Sequence, residues 1–213
     1  MNTLYSSFRT AIQHGVYALC DGLLSRLARW GVTPNMVTTV GLLGNALAAA
    51  LLVASALLQP QPNAWHVGGC GLLILLSSLF DMLDGRLART AHMETRFGAF
   101  YDSVLDRYCE LLTLSAIAFF FFRYDHPLSA LATLLALIGS IMVSYVRARA
   151  EGIGADCKVG LMQRPERVVL TALGALLTPA CGLWALLLPQ LLIALLANAT
   201  AVARILHVRK QLK

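Results

Sequence analysis

The chain has 213 residues, 58% of them hydrophobic and 13% charged, with a mean hydropathy of +0.68. Soluble domains carry roughly 25% charged residues, so an ordinary soluble globular fold is excluded and the length fits one membrane domain. The net charge of +6 comes from short basic clusters between apolar stretches, the positive-inside pattern of a membrane protein, and this argues against nucleic-acid binding. Cys20, Cys70, Cys109, Cys157 and Cys181 are scattered without a CxxC pair, so neither a disulfide framework nor a zinc site is expected.

Residues 4–30 place Leu4, Phe8, Ile12, Val16, Leu19, Leu23, Leu27 and Trp30 three or four apart, with Arg9, Arg26 and Arg29 between them. The spacing predicts an amphipathic helix lying in the membrane interface, with residues 1–32 as a distinct segment. No apolar core followed by a small-residue cleavage site occurs there, so no cleavable signal is expected. Gly31 and Pro34 break the pattern. Met36–Leu58 is the first expected span, and Asn35 before it is equally consistent with a helix cap or a nucleotide contact. Val67–Phe80 leads into Asp81 as the second. Phe97–Phe122 is the third, carrying Asp102, Asp106, Arg107 and Glu110 in its first half, and Pro127–Val146 is the fourth.

Val168–Ala203 holds 36 residues without a charge, which as one helix would be about 54 Å long, more than a bilayer spans. A break near Pro179 and Gly182 divides it into a fifth and a sixth span. The expected fold is therefore all-α and integral to the membrane, with six transmembrane helices over residues 33–213 and both termini on one side. Of the Lys and Arg residues, all but Arg107 and Arg123 then fall on the cytoplasmic side, as the positive-inside rule requires.

Residues 81–106 place four carboxylates near the ends of two consecutive helices. Asp81 and Asp84 are three apart and Asp102 and Asp106 four apart, so each pair shares a helix face, and an antiparallel arrangement would bring all four together. Four mutually repelling carboxylates in partly desolvated surroundings need positive charge, and oxygen-only ligands favour Mg²⁺ or Mn²⁺. Gly85 and Ala88 continue the Asp81–Asp84 face with small residues, Arg89 adds a phosphate-binding fork, and Gly98 opens the next helix one turn before Asp102. A structural network of Asp–Arg ion pairs is the competing reading of these residues.

The full spacing, Asp81-x2-Asp84-Gly85-x2-Ala88-Arg89-x8-Gly98-x3-Asp102-x3-Asp106, resembles the signature of the CDP-alcohol phosphatidyltransferase family at all eight fixed positions over 26 residues. The resemblance implies transfer of a phosphatidyl group from a CDP-linked lipid, CDP-diacylglycerol, to an alcohol with release of CMP. It implies Asp81, Asp84 and Asp102 as metal ligands, with Asp106 beside the metals and serving as general base. It implies contact of Asp84, Gly85, Ala88, Arg89 and Gly98 with the CDP moiety, and a homodimer.

The motif does not name the acceptor. Ser144-Tyr145-Val146-Arg147-Ala148-Arg149-Ala150-Glu151-Gly152, followed by Arg164-Pro165-Glu166-Arg167, resembles the inositol-phosphate branch of the family. Ser103 and Arg107 within the motif resemble that branch too. The resemblance implies Arg147, Arg167 and Arg204 as holders of the acceptor's phosphate, with Arg149 and Arg164 weaker candidates. Two positions depart from the branch: Arg147 stands where Lys is common, and Gln163 where an acidic residue is. Phosphatidylglycerol-phosphate synthesis is the alternative within the family, and an ion-coupled transporter the alternative outside it. A transporter binds near the midplane, whereas this acidic cluster sits at one interface, where a lipid head group meets a soluble acceptor. The expected location is a prokaryotic cell membrane with the site facing the cytoplasm.

Overall fold

The computed structural model describes residues 22, 24 and 26–212. Six helices follow in order: α1 (Pro34–Leu58), α2 (Ala64–Thr90), α3 (Arg96–Arg123), α4 (Pro127–Glu151), α5 (Arg164–Cys181) and α6 (Leu183–Gln211), with no strand among the described residues. Four of them, α1, α2, α4 and α6, are long and apolar enough to cross a membrane. Most of the expected amphipathic N-terminal segment, Cys20 included, lies outside the described residues. Its end is helical through Arg29, where Leu24 and Leu27 pack with Val37 and Leu87.

Local chemistry sets the helix limits. Thr33, not Asn35, caps α1: its hydroxyl accepts from Met36 N, and Pro34 stands in the first turn, where its missing N–H leaves no bond unmade. α2 does not stop at Phe80 but continues to Thr90, so Asp81, Asp84, Gly85, Ala88 and Arg89 all ride on one helix. It ends with Met93 N donating to Ala88 O at 2.8 Å and His92 in the left-handed region at φ +53°, the Schellman arrangement. His92 thus has a structural task in the turn that joins the two halves of the acidic motif. Thr95 then caps α3, accepting from Gly98 N at 2.9 Å. The expected break in the last apolar stretch falls at Gly182, whose φ of +73° suits only glycine, while Pro179 stays inside α5.

The helices close into a ring. α1 packs on α2 and α3, α2 also on α5, α3 also on α4, and α6 on both α4 and α5. Small residues allow the approach: a Cβ on Gly71 of α2 would stand 2.7 Å from Ala172 O of α5 and 2.9 Å from the Ala175 carbonyl carbon. Many inner residues are Ala and Thr, among them Ala48, Ala56, Ala136, Ala172, Ala197, Thr133 and Thr178, packed with the larger Phe120, Phe121, Ile117 and Leu186, while Leu43, Leu47, Phe122, Leu128 and Leu195 face outward. Lipid solvates leucine as well as a core does, so close backbone packing of small residues contributes much of what holds such a bundle together. Trp30, Trp65 and Trp184 are exposed close to the starts of α1, α2 and α6, as in an aromatic belt. The architecture is that of an integral membrane helical protein.

Gly71→Val is expected to force α2 from α5 at a cost of about 1–3 kcal/mol. A thermal midpoint in detergent unchanged from the parent would refute this account of the α2–α5 contact.

Candidate active site

α2 and α3 are joined by the short turn at residues 91–95, and α1 packs against both. At the turn end of these helices, Asp81, Asp102 and Asp106 each offer one carboxylate oxygen within 4.8 Å of the others. The expected meeting of the acidic pairs is therefore observed for three of the four residues. Asp102 Oδ1 is buried without a hydrogen-bond partner. A carboxylate oxygen so placed, beside two further acids, is left without a hydrogen-bond donor.

Asp84 is the most deeply buried of the set, at 4% exposure. Its Oδ2 accepts from the Thr38 hydroxyl at 2.6 Å, and its Oδ1 accepts from Gly85 N. Thr38 Oγ1 is also 3.0 Å from Pro34 O, and its single proton is better aimed at the shorter, charged contact. The carboxylate is thus locked by a residue of α1 that sequence reasoning did not single out. No spacing rule links positions 38 and 84, and only the packing of α1 on α2 brings them together. The same surface brings Thr39 to 3.0 Å from the Tyr101 hydroxyl, and sets the Asn35 side-chain oxygen against Gly98, 3.3 Å from where a Cβ would be.

Gly85 behaves differently from the packing glycines. A Cβ there would meet only the Arg89 guanidinium, at 3.6 Å, an ordinary contact. The protein's own packing does not demand glycine at this position, so the space above it is open to a ligand. Arg89 lies over this opening near the end of α2, with Ala88 half-buried beside it.

The acids are bridged from across the ring. Arg164, the first residue of α5, places Nη1 at 2.5 Å from Asp81 Oδ2 and Nη2 at 2.7 Å from Asp106 Oδ1. One turn further, Arg167 sets Nε and Nη2 at 2.8 and 2.7 Å from Glu110 Oε1, both side chains under 5% exposed, and Arg167 Nη1 donates to Met162 O. Glu110 therefore pairs with an arginine of another helix, whereas Arg107 bonds back to Ser103 O on its own helix.

The other acceptor candidates are placed less centrally. Arg204 is buried and donates to Val159 O and Val143 O, which ties α6 to α4 and to the connection before α5. Arg147 is half-exposed and pairs with Glu151 on its own helix at 2.8 Å, and Arg149 is exposed. Arg147 and Arg167 both lie close enough to act electrostatically on Arg204.

A cavity of about 380 Å³ opens inside the ring and joins these groups. Asp81, Asp106, Arg164, Arg167 and Glu110 line its charged part, and Thr38, Asn45, Ser77, Thr113 and Thr171 its polar walls, with Leu and Ile between them. Of the three arginines expected to hold the acceptor, Arg167 lines this cavity. Anions and a hydroxyl group could be held here together, out of bulk water.

Comparison with known proteins bears on the family and the fold. Residues 31–206 match the family described as CDP-alcohol phosphatidyltransferase. The chain is 33% identical over 190 residues to the phosphatidylinositol phosphate synthase of Mycobacteroides abscessus, covering 89% of this chain and 82% of that protein. Its fold resembles the crystal structure of Mycobacterium tuberculosis phosphatidylinositol phosphate synthase in complex with manganese and citrate, with a TM-score of 0.77 and 29% identity, covering 88% of this chain and 87% of that one. A second crystal structure of that mycobacterial protein, with CDP-DAG bound, gives a TM-score of 0.75 at 29% identity over 88% of this chain and 92% of that one. On the matched span of residues 31–206 and the similarity to a relative across most of both chains, this chain belongs to the CDP-alcohol phosphatidyltransferase family.

Proposed function

We propose that this chain transfers the phosphatidyl group of CDP-diacylglycerol to inositol phosphate, releasing CMP and forming phosphatidylinositol phosphate. The observation that carries the reading is the single cavity in which Asp81 and Asp106 stand beside the Arg167–Glu110 pair, so that a metal-assisted phosphoryl centre and an anion-binding arginine share one space. The names of the mycobacterial relatives, and the bound CDP-DAG and manganese in the solved structures, support donor, acceptor and metal alike.

The residues present fit a divalent cation. Three carboxylates offer oxygens within 4.8 Å, and the unpartnered Asp102 Oδ1 lies among them. An all-oxygen donor set suits Mg²⁺ or Mn²⁺. Asp81, Asp84, Asp102 and Asp106 would hold it, with Asp84 fixed by Thr38 and the Gly85 amide. Bound there, the metal would supply Lewis-acid stabilisation of charge on the diphosphate and the departing CMP.

The chain's own residues account for the remaining steps. Gly85 leaves room for the donor's nucleotide, flanked by Ala88 and Gly98, and the Arg89 fork beside it is suited to the diphosphate. Asp106 accepts the proton as the acceptor oxygen bonds to the phosphatidyl phosphorus and the bond from that phosphorus to CMP breaks. An aspartate is a weak base, so holding the hydroxyl in line contributes as much as proton affinity. Arg167 faces the acceptor phosphate from a position that Glu110 fixes, and Arg147 and Arg204 add positive field behind it.

In the same reading all six helices cross the membrane, because α3 and α5 complete a ring with four apolar spans, and both termini and the acidic motif face the cytoplasm, as the distribution of Lys and Arg supports. The location in this reading is a prokaryotic cell membrane, and the protein is a homodimer, the latter resting on the family resemblance alone.

CMP release by the detergent-purified chain with Mg²⁺ and CDP-diacylglycerol should require inositol phosphate, and not glycerol 3-phosphate, free inositol or serine. Turnover with glycerol 3-phosphate alone would replace the acceptor while keeping the chemistry. Asp106→Asn should lower CMP release at least about 10²-fold with normal folding, the low end of general-base contributions; turnover near the parent's would remove Asp106 from that role. Gly85→Ala should fold normally and lose donor binding, and an unchanged KM for CDP-diacylglycerol would refute the open-space argument. Glu110→Ala strands the buried Arg167 charge at a cost of about 3–5 kcal/mol. The double replacement Glu110→Leu with Arg167→Met should therefore be more stable than Glu110→Ala alone, as read by thermal unfolding.

A further inference from the structure

Arg164 stands apart from the other arginines at the site in what holds it. Arg167 has Glu110 and a backbone carbonyl, and Arg204 has two backbone carbonyls. The hydrogen bond and ion pairs recorded for Arg164 go to Asp81 and Asp106, two carboxylates of the metal-binding set, and its buried Nε has no hydrogen-bond partner. Its side chain is 17% exposed, and its position is one helical turn from Arg167 on the same cavity wall.

We propose that Arg164 is the internal counter-cation of the acidic cluster, and that metal entry releases it to bind the phosphate of the acceptor. This rests on the metal reading above and adds to it a coupling between the metal and Arg164, which the sequence offered only as a weaker acceptor candidate. A divalent ion and the guanidinium compete for Asp81 and Asp106, because a carboxylate oxygen held by one is unavailable at full strength to the other. With the metal in place the guanidinium loses its partners at a position where little of its side chain meets water, and an unpaired charge there is costly. An anion from a substrate restores the pairing. The acceptor's phosphate is the one whose site adjoins Arg167, whereas the donor's nucleotide is assigned to the Gly85–Arg89 side.

Linkage makes this quantitative. If metal binding frees Arg164 for phosphate, then phosphate must tighten metal binding by the same factor. In the metal-free protein Arg164 neutralises part of the cluster, which keeps the four acids compatible with a folded helix ring before any metal is bound. The device also favours productive order, since the acceptor arginine becomes available only once the centre that activates the donor is assembled.

The test is calorimetric titration of Mn²⁺ into the full chain in detergent, alone, with inositol 1-phosphate, and with CDP, so that the two sources of phosphate are separated. In the parent, inositol 1-phosphate should tighten Mn²⁺ binding by about tenfold, within the usual range of coupling. Arg164→Gln should bind Mn²⁺ alone more tightly than the parent, lose the inositol 1-phosphate effect and keep the CDP effect. Arg164→Lys keeps the charge but cannot bridge both carboxylates with a planar fork, so it should fall between the two, and it carries the test if Arg164→Gln does not fold. Equal Mn²⁺ affinity in parent and variants, or an inositol 1-phosphate effect that survives in Arg164→Gln, would overturn the proposal. Loss of the CDP effect instead would overturn the acceptor assignment of the released arginine. A parent chain that binds no Mn²⁺ would overturn the metal reading itself, a result distinct from these.

Discussion

Three carboxylates gathered near one end of a ring of apolar helices, with Asp84 buried on the same helix as Asp81, are the constraint on which the rest of this structure depends. Like charges so close, and partly shielded from water, cannot remain without compensation. Each notable feature around them answers that demand. Thr38 and the Gly85 amide donate hydrogen bonds to Asp84, and Arg164 reaches across the ring to Asp81 and Asp106. Asp102 retains a buried oxygen with no hydrogen-bond partner. An added cation would give that oxygen a partner.

The scaffold around this cluster combines two kinds of packing. Helices meet at close range through Gly71, Ala172 and Ala175, while Phe120, Phe121, Ile117 and Leu186 are fully buried in the core and other Leu side chains face outward. The cavity beside the acids persists within that packed ring. Its polar wall of Thr38, Asn45, Ser77, Thr113 and Thr171 is accommodated because several of these side chains bond within the ring, Thr113 to Asn45 among them.

Much of the candidate site was legible from residue spacing alone. Asp81, Asp84, Gly85, Ala88 and Arg89 share a face because three- and four-residue intervals do so on any α-helix, and the same holds for Gly98, Asp102 and Asp106. The break at Gly182 was legible because an uncharged run longer than a bilayer must turn, and the residue that turns is the one free to adopt positive φ. The less legible part concerns partners. Arg164 looked like a weaker acceptor candidate in the sequence, and nothing in the spacing foretold that it bridges Asp81 and Asp106. Arg147 looked equivalent to Arg167, yet one pairs with Glu151 on its own helix and the other is buried against Glu110. Thr38 carried no signal at all.

The sequence by itself determined the composition class, the helical register of the acidic motif and the end of the bundle at which charge collects, because each depends on local periodicity and on the cost of placing charge in hydrocarbon. Tertiary structure alone decided which cation faces which acid. Positions 38 and 84, 81 and 164, and 110 and 167 are joined by helix packing across a ring, and pairing at such separations is set by which small residues let which helices approach, information that no single segment of the chain contains.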